Sequence, residues 1–201
     1  MNIAVFVSGN GTNLQAIVDA VKKGEINAKI CLVVSDNKKA YALVRAKNAG
    51  IETFVLEAKG FETRDVYDKM IMKELEKRNI GLIVLAGFMR LLSEGFVKKY
   101  KNKIMNVHPA LLPAFKGTHG IQDAFDCGVK VTGITVHFVD ELLDHGPIIL
   151  QEALEIDKND TVDTLEDKIH KIEHRIYPAA IKLFVEGKLK IEGRKVKFGL
   201  D

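Results

Sequence analysis

Apolar residues in the first half of this chain fall into two alternating rhythms. Short continuous runs give way to longer stretches that carry a single apolar stripe. Residues 3–7 (Ile-Ala-Val-Phe-Val) form an unbroken run, as expected for a strand buried on both faces of a parallel sheet, and the run stops at Ser8-Gly9-Asn10-Gly11. From about residue 13 to residue 22, Leu14, Ile17, Val18 and Val21 share one stripe, which predicts a helix. Thr12 and Gln15 have the spacing of a capping box at its start. A strand at 29–34, a helix at 39–48 stopped by Gly50, a short strand at 53–56, an amphipathic helix at 61–78 and a strand at 80–86 continue the alternation. Such a sequence of elements predicts an α/β fold, with an open, mostly parallel central sheet flanked by helices.

Beyond residue 100 the pattern changes. Residues 104–108 read as a strand closed by Pro109, and 110–120 as a loop carrying Pro113 and Gly117; the isomer of the Leu112–Pro113 bond is left open. Residues 132–139 alternate like a strand with one wet face. A loop with Asp140, Glu141, Asp144 and Gly146 leads into a strand at 147–152, so an antiparallel portion is expected in this half. The longest helix spans 161–186, with an interruption at Pro178, and residues 189–198 close the chain as a hairpin turning at Glu192-Gly193-Arg194. Neither repeats nor a low-complexity linker break the chain. One domain over 1–201 is expected, with a phosphate-binding front half to about residue 100 and catalytic elements from about 101 onward.

Composition narrows the function classes. With 47% hydrophobic and 28% charged residues the chain can bury a sizeable core, and no stretch reaches the ~20 apolar residues of a membrane span. No basic leader precedes the first strand, and only Cys31 and Cys127 are present, so a reducing cytoplasm is the expected home. A net charge of +3, spread along the chain, gives no nucleic-acid footprint but suits anionic small molecules. A monomer or weak homodimer is expected.

Three stations carry candidate chemistry. Ser8-Gly9-Asn10-Gly11-Thr12-Asn13 sits between the first strand and first helix, where bare amides at a positive helix end favour a phosphate. It lacks the third glycine of a dinucleotide site and the Gly-Lys-Ser/Thr of a P-loop; a tight turn with routine capping would look the same. Asn106-Val107-His108-Pro109 places an amide and an imidazole on one face of an extended segment. Asn can donate to a developing oxyanion and His can carry a proton, which suits acyl transfer. Asp144-His145-Gly146-Pro147 supplies a carboxylate which, folded back onto His108, would raise the histidine above its ordinary pKa. An Asp-Gly surface turn is the plainer alternative.

The remaining histidines say less. His137 is compatible with the site or with a buried hydrogen-bonded ring, and His119 and His145 are ambiguous. His170 and His174 stand four apart without a third ligand, so no metal is expected. Glu173, beside the apolar stripe of the long helix, reads by default as a solvated charge.

In order and in register, Ser8-Gly9-Asn10-Gly11-Thr12-Asn13, Ala86-Gly87-Phe88-Met89-Arg90-Leu91-Leu92, Asn106-Val107-His108-Pro109-Ala110-Leu111-Leu112-Pro113 and Asp144-His145-Gly146-Pro147 resemble the phosphoribosylglycinamide formyltransferases of purine synthesis. The likeness runs from residue 1 to about 185; residues 115–120 and the tail after the hairpin depart from it. The resemblance implies a Rossmann-like formyltransferase fold with 10-formyltetrahydrofolate as co-substrate. It implies that Asn106, His108 and Asp144 are the catalytic trio, acting on a tetrahedral intermediate formed by direct attack of the substrate amine. It further implies a phosphate site at Gly11, Thr12 and Asn13, and Glu173 as the acid holding the ribose of glycinamide ribotide. Folate contacts are implied at Arg64, Met89, Arg90, Leu91, Leu92, Asn106, Asp140, Glu141 and Asp144. Hydrolysis of the formyl folate, transfer to a charged tRNA, and a non-catalytic nucleotide-binding module are the alternatives. The last would share only the front half of the pattern.

Overall fold

The computed structural model describes residues 1–199, and the chain folds as two compact units that divide between Met105 and Asn106. In the first unit, β1 (Asn2–Val7), β2 (Lys29–Ser35), β3 (Thr53–Val55) and β4 (Leu82–Leu85) pair with one another in parallel, β1 against both β2 and β4, and β2 against β3. Ile3 to Val7 are all fully buried, as a strand covered on both faces must be. The helices α1 (Thr12–Lys22), α2 (Tyr41–Asn48), α3 (Arg64–Lys77) and α4 (Glu94–Lys99) supply the cover, with Leu14, Ile17, Ile71 and Leu75 turned inward.

Between the units the chain runs through β5 (Ile104–His108). The second unit holds α5 (Gly120–Cys127), β6 (Val131–Phe138), β7 (Ile148–Glu155), α6 (Val162–Val185), β8 (Leu189–Glu192) and β9 (Lys195–Phe198). β6 and β7 are antiparallel, β9 runs parallel to β7 through Ile148 and Lys195, and β8 closes antiparallel on β9. The α/β class, the parallel front half and the antiparallel portion of the rear half are as the sequence predicts.

The differences are local. Gly11, not Thr12, takes the position before α1, in the left-handed region at φ 76°, and as a glycine it offers no side-chain cap. Thr12 is already helical, and the Gln15 amide donates to Asp19 instead of forming a capping box. Helices α4 and α5 lie where the apolar pattern is too short to show a period. Helix α6 runs uninterrupted past Pro178, because Ile176, Tyr177, Ala180 and Ile181 are buried on both sides of the ring. The expected wet face of β6 is dry. Thr135 Oγ1 donates to Ala110 O at 2.7 Å and accepts from Leu112 N at 3.0 Å and Gln151 Nε2 at 2.9 Å. At Thr135 the place of water is taken by the 110–113 segment, whose Leu112–Pro113 bond is cis, and by Gln151.

Candidate functional site

In the second unit, strand period two brings Asn106 and His108 to one face of β5, as expected. The loop after β6 then carries Asp144 back to them. Asp144 Oδ2 lies 3.5 Å from His108 Nδ1 and accepts the Gly117 N–H at 2.8 Å, while its Oδ1 lies 3.7 Å from His137 Nε2. His137 also approaches the Asn106 amide, with Nε2 3.3 Å from Nδ2. Four side chains therefore converge, and the fourth, His137, is the one that spacing alone left ambiguous. Its place on the Thr135 side of β6 was the only available signal.

Hydrogen bonds assign the protons. His108 Nε2 is 2.8 Å from Phe115 O, and His137 Nδ1 is 2.8 Å from Phe138 O; a carbonyl only accepts, so both nitrogens carry hydrogen. The other ring nitrogens are turned to their neighbours: His137 Nε2 lies between the Asn106 amide and Asp144, and His108 Nδ1 faces the Asp144 carboxylate as the place where a proton would be received.

The electrostatics correct one expectation. His108 is only 3% exposed, and burial lowers its pKa below the ordinary 6.5, outweighing the opposing pull of Asp144 and of Phe115 O. Burial alone would raise Asp144, but His137, the Gly117 N–H and His108 together outweigh it and hold the carboxyl below its ordinary value. The resting pair is thus a neutral imidazole beside a carboxylate.

Acid should consequently weaken the fold. Both groups take up protons less readily in the folded chain than in the unfolded one, so stability is lost as pH falls, first below 6.5 through His108 and then below 3.8 through Asp144. Denaturant titrations of the wild type and His108→Gln from about pH 7.5 to about pH 5 should diverge, with the wild type losing more. Parallel curves would contradict the assignment.

The other expected residues occupy defined places. Glu173 is buried on α6 at 5% exposure, so its reading as a solvated helix charge is corrected: the residue faces the packed side. Asp140 Oδ2 takes the His145 ring at 2.7 Å, and Glu141 is exposed on the same loop.

In the first unit, the turn before α1 is packed tightly. A Cβ at Gly11 would stand 2.5 Å from the Cβ of Ala42, and Ala42 N donates to Gly9 O at 3.1 Å. Arg45 Nε holds Asn10 O at 2.9 Å. Gly11, Thr12 and Asn13 thus open α1 with a glycine at the N-cap, and the start of a helix is a place that suits a phosphate.

Between β4 and α4, Ser8 Oγ accepts from Met89 N at 2.9 Å, and the buried Asp68 carboxylate accepts from Ser93 N at 2.6 Å. These bonds pin both ends of residues 89–93 and leave Met89 and Leu91 exposed, with the Arg90 guanidinium 4.7 Å from the centre of the Tyr67 ring. Arg64 is the first residue of α3, after its cap Thr63. Among the described residues, no cluster of three or more His, Cys, Asp or Glu is arranged to hold a metal, and no helix is long and apolar enough to cross a membrane.

Comparison with known proteins agrees with this architecture. A phosphoribosylglycinamide formyltransferase of Bacillus subtilis (strain 168) is 46% identical over 179 residues, 89% of this chain and 92% of that one. The trifunctional purine biosynthetic protein adenosine-3 of Gallus gallus is 44% identical over 191 residues, which is 95% of this chain and 19% of that protein. The crystal structure of glycinamide ribonucleotide transformylase 1 from Symbiobacterium toebii matches with a TM-score of 0.96 at 44% identity, over 98% of this chain and 93% of that one. Residues 1–181 match the family described as Formyl transferase, and the chain accordingly belongs to that family and is a formyltransferase.

Proposed function

We propose that this formyltransferase moves the formyl group of 10-formyltetrahydrofolate to the primary amine of 5'-phosphoribosylglycinamide, a step of purine biosynthesis. The observation that carries the reading is the cluster of Asn106, His108, His137 and Asp144, in which the carboxylate lies 3.5 Å from His108 and 3.7 Å from His137, and His137 in turn 3.3 Å from the Asn106 amide. The acceptor is the one named for the phosphoribosylglycinamide formyltransferase of matching length, the glycine turn that opens α1 supports a phosphorylated acceptor, and the folate donor is what the sequence resemblance implies. Exposed apolar side chains beside polar ones, Leu142 and Leu143 next to Asp140 and Glu141, suit the flat, hydrogen-bonding ring of a folate.

The folate supplies an activated formyl carbon. Asn106 donates to the oxygen as charge develops on it. Neutral His108 receives a proton at Nδ1 as the amine loses one and bonds to the formyl carbon, and the Asp144 carboxylate at 3.5 Å stabilises the imidazolium so formed. That proton passes to N10 of the folate as the carbon–N10 bond breaks. The lowered resting pKa of His108 suits a group that must begin without the proton. Arg64, Arg90, Asp140 and Glu141 are assigned to the folate, and Glu173 to the acceptor ribose.

Spectrophotometric turnover with 10-formyltetrahydrofolate, with and without glycinamide ribotide, tests the proposal. Turnover that requires the ribotide is expected. Equal turnover without it would indicate hydrolysis and overturn the acceptor assignment.

A further inference from the structure

Arg194 lies in the turn between β8 and β9, far in sequence from the cluster that holds Asp144, yet it ends on the neighbouring residue. Its Nη2 donates to His145 O at 2.7 Å, and its Nη1 lies 2.6 Å from His145 Nε2 and 3.0 Å from Nδ1. On the other side of the ring, Nδ1 is 2.7 Å from Asp140 Oδ2, and Asp140 Oδ1 accepts the Leu142 N–H at 3.1 Å. Strand register explains the meeting. β7 begins at Ile148 and pairs with β9 at Lys195, so the residue before Lys195 arrives beside the segment that leads into β7.

The partners fix the roles: the Asp140 carboxylate only accepts, so His145 Nδ1 donates to it, and the Arg194 guanidinium only donates, to His145 O and toward the ring. Arg194 thereby holds both the side chain and the carbonyl of residue 145, immediately after Asp144. Asp144 sits at φ 45°, in the left-handed region that is uncommon for non-glycine residues, Asp being among those that enter it more readily.

We propose that Arg194 is a positioning residue. Through His145 and Asp140 it clasps the two ends of the 140–145 turn and sets the Asp144 carboxylate for formyl transfer. This rests on the role given to Asp144 above.

The test uses the full chain in the ribotide-dependent assay, with Arg194→Ala, Arg194→Lys, His145→Ala, the double variant Arg194→Ala/His145→Ala, and Asp144→Asn for reference. Arg194→Ala should lower kcat roughly tenfold, less than the ~10²-fold that a full ångström of misplacement costs. Arg194→Lys should recover only part of the loss, because a point charge cannot fork between ring and carbonyl. Millimolar guanidinium should restore turnover to Arg194→Ala but not to Asp144→Asn. The double variant should be no slower than the slower single variant, as for residues acting in one unit. Wild-type kcat in Arg194→Ala, absence of guanidinium rescue, or losses that multiply in the double variant would each overturn the proposal. If Asp144→Asn alone keeps full turnover, the role of Asp144 is wrong and the clasp falls with it. If Asp144→Asn is slow while Arg194→Ala is not, the clasp fails by itself.

Discussion

Asp144→Asn is expected to turn over roughly 10²–10³-fold more slowly than the wild type, in the range of losing one electrostatic stabiliser of an acyl-transfer transition state. The substitution keeps the shape and the oxygen that can accept the Gly117 N–H at 2.8 Å, so the loop retains its anchor. What disappears is the negative charge 3.5 Å from His108 Nδ1. A neutral amide there leaves His108 with the full penalty of charging inside a buried site, the same penalty that already holds its pKa below 6.5. His108→Ala should lose at least as much, because it removes the proton acceptor itself. Circular dichroism should show both variants folded, and steady-state kinetics should place the loss in kcat. Near-normal turnover in both would withdraw the catalytic roles and leave the convergence of these groups a structural feature.

The second large effect is on stability. Gly146→Ala should lower stability by about 3 kcal/mol or more, the upper range for forcing extra atoms into a packed site, and lower the Tm by roughly 10 °C. A Cβ at this position would stand 1.9 Å from Phe138 O and 2.8 Å from Phe138 C, both backbone atoms that no rotamer change can move aside. The carbonyl that must give way is also the acceptor for His137 Nδ1 at 2.8 Å. Relief of the clash therefore disturbs a ring lying 3.7 Å from Asp144 Oδ1, and residual folded protein should be slow as well as labile. Thermal denaturation followed by activity at low temperature separates the two effects. An unchanged Tm would show that β6 and the 140–146 segment separate more easily than their packing implies.

Much of the architecture was legible along the chain, because it depends on neighbours in sequence. The unbroken run at 3–7 determines a strand buried on both faces, and the stripe through Leu14, Ile17 and Val18 determines the helix packed on it. The period of two in an extended chain places Asn106 and His108 on one face whatever surrounds them. Tertiary structure decided what depends on distant partners. Spacing could not say that Asp144 reaches His108, that His137 joins them, or that Arg194 ends on His145, since each meeting is set by strand register, and a slip of one residue reverses which face a side chain occupies. The direction of the His108 shift was misjudged for the same reason. A carboxylate partner is visible in a sequence, whereas the burial that outweighs it belongs to the packed fold. Glu173 and Thr135 follow suit: their residue types suggest water, and only packing shows that both are buried, Thr135 with other parts of the chain in water's place.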